Sequence, residues 1–239
     1  MATKKKVTIS WSGGKDSAWA LHKILTRGDC EVVSLHTVIN DGNRRVGLHG
    51  VHEDLISEQA RALGIPLEKL YLRTSDDHGA YEILMKQFYK SCASNGVDKI
   101  VFGDIFLEDL KDYRDKLLEG SGIGGLYPLW NADTRGLLKQ FLRAGFKTIV
   151  CAAKKEYFSK KEMGRIIDET FLSQLDPAVD PCGENGEFHT FVVDGPIFKF
   201  PITIRVGGVI ETKYSYKITG ADGSGRTVDA CFLFQDLFL

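Results

Sequence analysis

The sequence predicts an α/β protein with two domains. A Rossmann-like domain with a parallel sheet is expected over residues 1–130, and a smaller α+β domain over residues 131–239. Three observations support this prediction. Strand and helix signals alternate in the first half of the chain, a glycine-rich turn directly follows the first strand, and β-prone segments separated by Gly and Asp dominate the C-terminal part.

The alternating signals of the first half have lengths typical of βαβ units. Predicted strands cover 6–11, 31–38, 67–73 and 99–103, and predicted helices cover 16–25, 53–63, 80–94 and 109–119. Parallel strands need long crossovers, and helices of this length between short apolar strands supply them. We therefore expect right-handed βαβ units around a parallel sheet that is covered on both faces.

The predicted secondary structure of the second half changes after residue 180. A helix over 134–144, a strand over 148–151 and a polar helix over 160–172 are followed by β-prone segments at 188–193, 202–206, 209–218 and 228–234. Short strands separated by Gly and Asp are typical of hairpins. We expect a smaller domain built on these hairpins, with a cleft between it and the first domain.

The turn after the first strand has the composition of an anion-binding loop. We call it the phosphate loop, and it consists of Ser12, Gly13, Gly14, Lys15, Asp16 and Ser17. Consecutive glycines let main-chain N–H groups face an anion, and the positive end of the following helix points to the same place. The alternative is an ordinary strand–turn–helix corner, but the complete hexapeptide favours a solvent-facing phosphate site.

The side chains of the phosphate loop add chemistry to its main chain. The two serines supply hydroxyl donors, and Lys15 supplies a positive charge for phosphate oxygens. Asp16, at the start of the helix, either caps the helix or holds a cation, and it is our candidate ligand for Mg²⁺.

Two other glycine-rich segments match nucleotide motifs less well. Residues 120–125 satisfy the G-x-G-x-x-G pattern, but they follow a helix and no helix begins behind them, so we expect a mobile loop over the cleft. Residues 220–227 nearly match a Walker loop, with Arg226 in place of lysine. Because they lie between two β-prone segments, we interpret them as a hairpin tip.

Acidic residues form the second candidate constellation. Asp104 follows a predicted parallel strand, at the sheet edge where the phosphate loop lies, and could bind Mg²⁺, bind a substrate group or cap a helix. Glu184 and Glu187 lie three residues apart among glycines, just before a predicted strand. They are poor core residues and suit a loop that binds a cation or an ammonium group; the alternative is a turn with incidental acids.

The phosphate loop resembles the pyrophosphate loop of the N-type ATP pyrophosphatases, the PP-loop enzymes. The resemblance implies that residues 12–17 hold the phosphates of ATP, and that His36 and Thr37, at the end of the second strand, lie near the adenosine. PP-loop enzymes adenylate a carbonyl or carboxyl oxygen and release pyrophosphate, after which a nitrogen or sulfur nucleophile displaces AMP.

Motifs along nearly the whole chain are similar to those of the diphthine–ammonia ligase family within the PP-loop superfamily. They are the phosphate loop, His36-Thr37, Leu48-His49-Gly50, residues 59–66, Gly103-Asp104-Ile105 with Arg114, residues 126–130 and residues 186–190. The family signature Glu-Gly-Gly-Glu reads Glu184-Asn185-Gly186-Glu187 here, so a role for the acids carries over better than the geometry of the loop. The segment 48–50 is expected in the wall of the cleft.

The resemblance implies a ligase that uses ATP and Mg²⁺ to adenylate a carboxylate, which ammonia then attacks. The expected acceptor is diphthine on an elongation factor, or another small or protein carboxylate. Glu184 and Glu187 would position ammonium or the acceptor. The predicted catalytic residues are Lys15, Asp16, Asp104, Glu184 and Glu187.

Composition argues against a nucleic-acid partner and against a membrane span. A net charge of −1 gives no global field for a polyanion, so a nucleic-acid partner is disfavoured. The sequence contains no stretch of about 18 apolar residues, so no membrane-spanning helix is predicted. Five scattered cysteines without a C-x-x-C pair predict a reducing, cytoplasmic location.

Two other functions stay open at this point. The first is a PP-loop sulfurtransferase acting on tRNA or a small metabolite, with Cys182 beside the candidate site as a sulfur relay. The second is a non-catalytic regulatory protein that binds a nucleotide. The sequence does not show the oligomeric state, and a homo-oligomer stays open.

Overall fold

The computed structural model describes residues 3–73, 78–219 and 225–239. The first sheet contains β1 Lys5–Ser10, β2 Cys30–Asn40, β3 Arg45–Val46, β4 Leu67–Leu72, β5 Lys99–Val101 and β6 Gly124–Leu126. Its helices are α1 Lys15–Arg27, α2 Glu53–Leu63, α3 His78–Ser94 and α4 Glu108–Leu118. The alternation predicted for the first half is therefore confirmed.

The elements of the second half are α5 Thr134–Arg143, β7 Lys147–Lys154, α6 Glu169–Gln174, β8 Phe188–Asp194, β9 Arg205–Thr219 and β10 Gly225–Phe238. Their strands form a second, smaller antiparallel sheet in the order β8-β7-β10-β9. This arrangement confirms the predicted fold class, a parallel α/β unit followed by a smaller α+β unit. The boundary between residues 130 and 131 stays a prediction.

The order of the strands puts the end of β1 at a branch point of the first sheet. Strand β1 pairs in parallel with β2 on one side and with β5 on the other. Strand β4 extends the sheet beyond β2 and β6 extends it beyond β5, both in parallel, while β3 pairs antiparallel with the end of β2. Ligands in open α/β sheets bind where the connections diverge in this way, at the carboxyl ends of the strands.

One hydrophobic core joins the two sheets. It includes Trp11 and Leu21 from the first unit, and Phe188 and Phe191 from β8 in the second. Helix α1 contributes its buried face to this core. It ends at Arg27, and the following Gly28, with a left-handed φ of 69°, caps its last turn. Because α1 packs against both units, the loop that precedes it lies between them.

The helix predicted over 160–172 is wrong. Only Glu169–Gln174 is helical, because the preceding residues have other partners. The Glu162 carboxylate accepts hydrogen bonds from the main-chain N–H and the hydroxyl of Ser159, at 2.6 and 2.8 Å. Ile166 then forms a β-bridge with Ile149 of β7. These contacts turn the chain before α6 can begin.

The glycine-rich segments are only partly as predicted. A mobile loop over 120–125 is wrong for its last two residues, because Gly124 and Gly125 belong to β6 and pair in parallel with β5. Residues 220–224, where the hairpin tip is predicted, lie outside the described residues. Strands β9 and β10 on either side of them pair antiparallel, with Gly225 opposite Thr219.

Candidate active site

The phosphate loop leaves β1 through a backbone that only glycine suits. Gly13 has a left-handed φ of 82°. A Cβ atom there would lie 2.7 Å from Cδ1 of Ile56 and 2.8 Å from Oε1 of Gln59, both on α2. Gly14 is the N-cap of α1, and the helix begins at Lys15. The loop therefore presents the N-terminal end of α1 at the carboxyl edge of the sheet, as the sequence predicts.

Hydroxyl groups brace the loop from within. The hydroxyls of Ser12 and Ser17 lie 3.3 Å apart, and that of Ser12 also accepts a hydrogen bond from the Gly14 N–H at 3.3 Å. The Ser17 hydroxyl donates to the Gly14 carbonyl at 3.0 Å. The two serines thus hold the turn in shape before any ligand binds.

The second sheet completes the phosphate loop. The main-chain N–H of Val192 in β8 donates to the Gly13 carbonyl at 2.9 Å. The amide of Gln59 donates to the carbonyls of both Gly13 and Val192, at 3.0 and 2.7 Å. The hydroxyl of Thr190 accepts the main-chain N–H of Lys15 at 2.9 Å. The N-terminal end of α1 is therefore fixed by contacts from β8 and α2.

Lys15 does not face solvent, so that expectation is wrong. Its side chain is 3% exposed, because β8 and the loop before it cover the start of α1. The ammonium donates to the Asp16 carboxylate at 2.8 Å and to the main-chain carbonyl of Cys182, and it lies 5.4 Å from the centre of the Phe188 ring. Burial lowers the pKa of Lys15, but Asp16 and other nearby acids raise it by more than burial lowers it. The pKa therefore lies above its usual value, and the side chain stays charged.

Asp16 has the features of a magnesium ligand. One carboxylate oxygen pairs with Lys15, while the other, Oδ1, is buried and has no hydrogen-bond partner among the described residues. No cluster of three or more acidic, His or Cys side chains suited to a metal occurs within residues 3–73, 78–219 and 225–239. Mg²⁺ bound with a nucleotide needs only one or two carboxylates besides the phosphates. The residues present therefore fit a nucleotide-bound Mg²⁺ and not an all-protein metal site.

Asp104 lies at the end of β5, next to the phosphate loop. Its carboxylate pairs with Arg114 in a fork, with Nε at 2.6 Å and a terminal guanidinium nitrogen at 3.1 Å. The chain can pass this close to the phosphate loop because residue 103 is glycine. A Cβ atom on Gly103 would lie 2.9 Å from the main-chain carbon of Asp16. Helix α4 has Leu107 as its N-cap, so Asp104 is not a helix cap. A direct role for Asp104 in catalysis stays a prediction.

The two glutamates of the signature occupy different environments. They belong to the segment 180–187, which we call the acidic loop. Glu184 reaches the first unit, where its carboxylate accepts the main-chain N–H of Ile105 at 2.7 Å. Burial raises the pKa of Glu184 to about 7 against the opposing effect of that hydrogen bond, and the carboxylates of Asp16 and Asp104 raise it further.

Glu187 instead stays within the acidic loop. Its carboxylate accepts the Asp180 N–H at 3.0 Å and the side-chain amide of Asn185 at 3.1 Å, and only 3% of the residue is exposed. Asn185, which replaces a glycine of the family signature, thus braces the loop. Sequence reasoning missed Asp180, whose carboxylate accepts the N–H groups of Cys182 and Glu184 at 2.9 and 3.1 Å. Its position before a Pro-Cys-Gly turn was the available signal.

His36 and Thr37 are buried within β2, opposite the end of β1, and not at the end of the second strand as predicted. The His36 ring lies 4.6 Å from the Phe88 ring, and its Nδ1 lies 3.3 Å from the Thr8 hydroxyl. Burial, with a smaller effect from Arg114, lowers the pKa of His36 to about 3. Its Nε2 and the Thr37 hydroxyl have no hydrogen-bond partner among the residues described. Both can therefore bind a polar ligand, and their place near an adenosine stays a prediction.

A pair of histidines lies beside the phosphate loop. His49 comes from the turn between β3 and α2, and His189 comes from β8; their ring centres are 4.6 Å apart at an angle of 41°. Burial, and then Lys15, lowers the pKa of His49 to about 4. Burial, followed by His49 and Lys15, also lowers the pKa of His189 well below its usual value. Both rings are therefore neutral at pH 7.

Cys182 contacts the site through its main chain and not through its sulfur. Its carbonyl accepts from Lys15, whereas its thiol donates to the carbonyl of Thr134 at 3.3 Å. Burial raises the pKa of this thiol, so it is not activated as a nucleophile. All five cysteines are free. These features do not favour a sulfur relay.

Two family models match the chain. The diphthamide synthase N-terminal domain matches residues 5–124, and the diphthamide synthase C-terminal domain matches residues 133–223. Within the described parts of the chain, no helix combines the length and apolar character needed to cross a membrane.

Curated relatives carry one name, diphthine–ammonia ligase. The protein from Schizosaccharomyces pombe is 26% identical over 84% of this chain, which spans 36% of that longer relative. The Danio rerio protein is 26% identical over 81% of this chain and 84% of its own length. The Homo sapiens protein is 24% identical over 86% and 85%, respectively.

A solved structure with limited similarity is the U34-tRNA thiolase NcsA from Methanococcus maripaludis with its [4Fe-4S] cluster. It is 12% identical, with a TM-score of 0.39 over 59% of this chain and 58% of the thiolase. This similarity is too low to support a functional argument.

Proposed function

Since the chain belongs to the diphthamide synthase family, we propose that it is an ATP-dependent ligase that forms an amide from a carboxylate and ammonia. The observation that carries the proposal is the meeting of two loops from the two matched domains. The phosphate loop and Glu184 of the acidic loop converge at the ends of β1 and β5, so an anion-binding group and a proton-accepting group share one site.

The phosphate loop supplies the binding of ATP in this proposal. The N-terminal end of α1 and the serine hydroxyls would bind the phosphates, and the buried Oδ1 of Asp16 would hold Mg²⁺. When bound, Mg²⁺ neutralises charge on the phosphates. Lys15 stays charged and would exchange the Cys182 carbonyl for an oxygen of the leaving pyrophosphate, which stabilises the negative charge that develops there.

Glu184 is the group best suited to handle ammonia. Ammonium must lose a proton before it can attack the adenylated carboxyl group. A carboxylate with a pKa of about 7 is ionised for part of the time at neutral pH and is basic enough to accept that proton. Its neighbours Asp16 and Asp104 raise the pKa of Glu184, which keeps this carboxyl group basic. Asp104, held by Arg114, would orient this cluster.

The acceptor we propose is diphthine on an elongation factor, after the name shared by the relatives, with another carboxylate as the alternative. We keep the cytoplasm as the proposed location, because the cysteines are unpaired. The buried thiol of Cys182 does not support the sulfurtransferase alternative.

The test is an analysis of the reaction products. The purified chain is incubated with ATP, Mg²⁺, ammonium and a diphthine-bearing elongation factor, and nucleotides are separated by chromatography while mass spectrometry follows the acceptor. We expect one AMP and one pyrophosphate per amide formed. ADP and phosphate as products would contradict the assignment, and binding of ATP without any turnover would favour the regulatory alternative.

A further inference from the structure

The histidine pair contacts the phosphate loop at the residue where α1 begins to form. A Cβ atom on Gly14 would lie 2.9 Å from Nε2 of His49 and 3.0 Å from the carbonyl of Thr190. The imidazole of His49 is therefore packed directly against the N-cap of α1. His189 precedes Thr190, whose hydroxyl binds the main-chain N–H of Lys15. Each unit thus brings one ring to the anion-binding end of the helix.

The electrostatic surroundings fix the protonation state of both rings. Burial and the charge of Lys15 disfavour imidazolium at His49, and the same two causes act on His189 together with His49 and Lys154. A neutral imidazole carries one N–H group and can donate one hydrogen bond to an anion without adding charge. Beside a buried ammonium, two neutral donors are a more stable arrangement than further cations would be.

One atom of the pair is left without a partner. Nε2 of His189 is buried and has no hydrogen-bond partner among the described residues. Buried polar side-chain atoms are nearly always paired, so an unpaired one beside an anion-binding helix end marks the place of a ligand group. The rings are tilted by 41°, so their N–H groups can serve different oxygens of one ligand.

We propose that His49 and His189 are neutral hydrogen-bond donors to the phosphate chain held by the phosphate loop, with one donor supplied by each domain. This inference rests on the proposed function, because it takes the bound anion to be the triphosphate of ATP. It adds that the affinity of the site for phosphate depends on a side chain of the second domain as well as on the loop itself.

The competing explanation is that the two rings only pack the domains together. Substitution with Phe keeps an aromatic ring and removes the donor, whereas Gln keeps an N–H donor and removes the ring. We therefore compare His49→Phe, His189→Phe, His49→Gln and His189→Gln. His22→Phe is the matched control, because His22 stacks on Trp19 at 4.8 Å and lies about 10 Å further along α1.

Calorimetry with Mg²⁺–ATP, inorganic pyrophosphate and adenosine measures the effect. We expect each Phe variant to bind ATP and pyrophosphate about 10-fold to 100-fold more weakly, the loss expected for one hydrogen bond to a charged group. Adenosine binding should not change, the Gln variants should recover part of the affinity, and His22→Phe should bind all three probes as the unmodified chain does. Thermal unfolding of every variant checks that the fold is kept.

The outcomes separate this inference from the proposed function. Phe variants that bind pyrophosphate normally would overturn the donor role, even in a chain that makes AMP. Weaker pyrophosphate binding by the Phe variants would support it even if no amide were formed, a result that would count against the ligase alone. Should a Phe variant not fold, the Gln variants decide: equal pyrophosphate affinity in His189→Gln and a His189→Ala variant would contradict the proposal.

Discussion

The phosphate loop and the acidic loop differ in which of their charged side chains hold the turn and which contact the other unit. In the phosphate loop the turn is held by hydroxyl and main-chain groups, and its one cationic side chain, Lys15, crosses to the carbonyl of Cys182. In the acidic loop Asp180 and Glu187 hold the turn themselves, and only Glu184 crosses, to the N–H of Ile105. Charge alone therefore does not identify a functional residue here. The residues that cross from one unit to the other are the better candidates.

Removing the cation that crosses from the phosphate loop should have the largest effect. We expect Lys15→Ala to lower turnover about 10³-fold, because it removes a fixed positive charge from the phosphates. Because Lys15 is buried, the change also leaves the Cys182 carbonyl and the Asp16 carboxylate unpaired, at a cost of about 1–3 kcal/mol in the free energy of unfolding. Steady-state kinetics and urea denaturation measure the two losses. An unaltered rate would remove Lys15 from the mechanism.

The same substitution at the two glutamates distinguishes Glu184, which contacts the first unit, from Glu187, which bonds within the acidic loop. Glu184→Gln removes the proton acceptor, and amide formation should fall about 10²-fold with ATP affinity within a few-fold. Glu187→Gln keeps an oxygen that can accept from Asp180 and Asn185, so its rate should fall less than about 10-fold. Calorimetry and turnover of both variants provide the measurement. Equal losses in the two variants would show that the division between them is wrong.

The steric demand for glycine in the phosphate loop can be tested by comparing Gly13, before α1, with Gly28, a left-handed glycine just after the same helix. Gly28→Ala, at φ 69° with nothing within 4 Å, should cost about 1 kcal/mol of unfolding free energy from backbone strain alone. Gly13→Ala, at φ 82°, adds a clash with Ile56 and Gln59, and should cost about 1–3 kcal/mol more. Urea denaturation of both variants measures the difference. Equal costs would mean that α2 yields readily to the loop.

The smallest effect is expected at the thiol of the acidic loop. Cys182→Ser keeps the main-chain carbonyl that binds Lys15 and a donor for the Thr134 carbonyl, so turnover should stay within about 3-fold, as for a substitution that leaves no partner unpaired. The rate with all other cysteines intact is the measurement. A selective loss of activity with an unchanged unfolding temperature would support the sulfur-relay alternative.

The features that could be predicted from the sequence have local causes. The bounds of α2, 53–63, follow from its apolar spacing and from Gly64, which closes the helix in a left-handed conformation. The phosphate loop has its predicted place because a strand, two glycines and a helix follow one another directly. Both features depend on residues that are close in the chain.

The features that were missed depend on distant contacts. The burial of Lys15 follows from Cys182, 167 residues away, and from Thr190, 175 residues from the Lys15 N–H that it accepts. The different contacts of Glu184 and Glu187 follow from the direction in which the acidic loop turns, which spacing does not show. No local pattern indicates which of two acids on one loop reaches another domain.

The long-range closure of the phosphate loop has a consequence for biosynthesis. The Gly13 carbonyl and the Lys15 N–H obtain their partners from Val192 and Thr190, in the second half of a chain of 239 residues. Domains fold as they leave the ribosome, the N-terminal one first. The phosphate loop of the nascent first domain would therefore lack both partners until β8 has emerged, and it would take its final shape only after that strand is made.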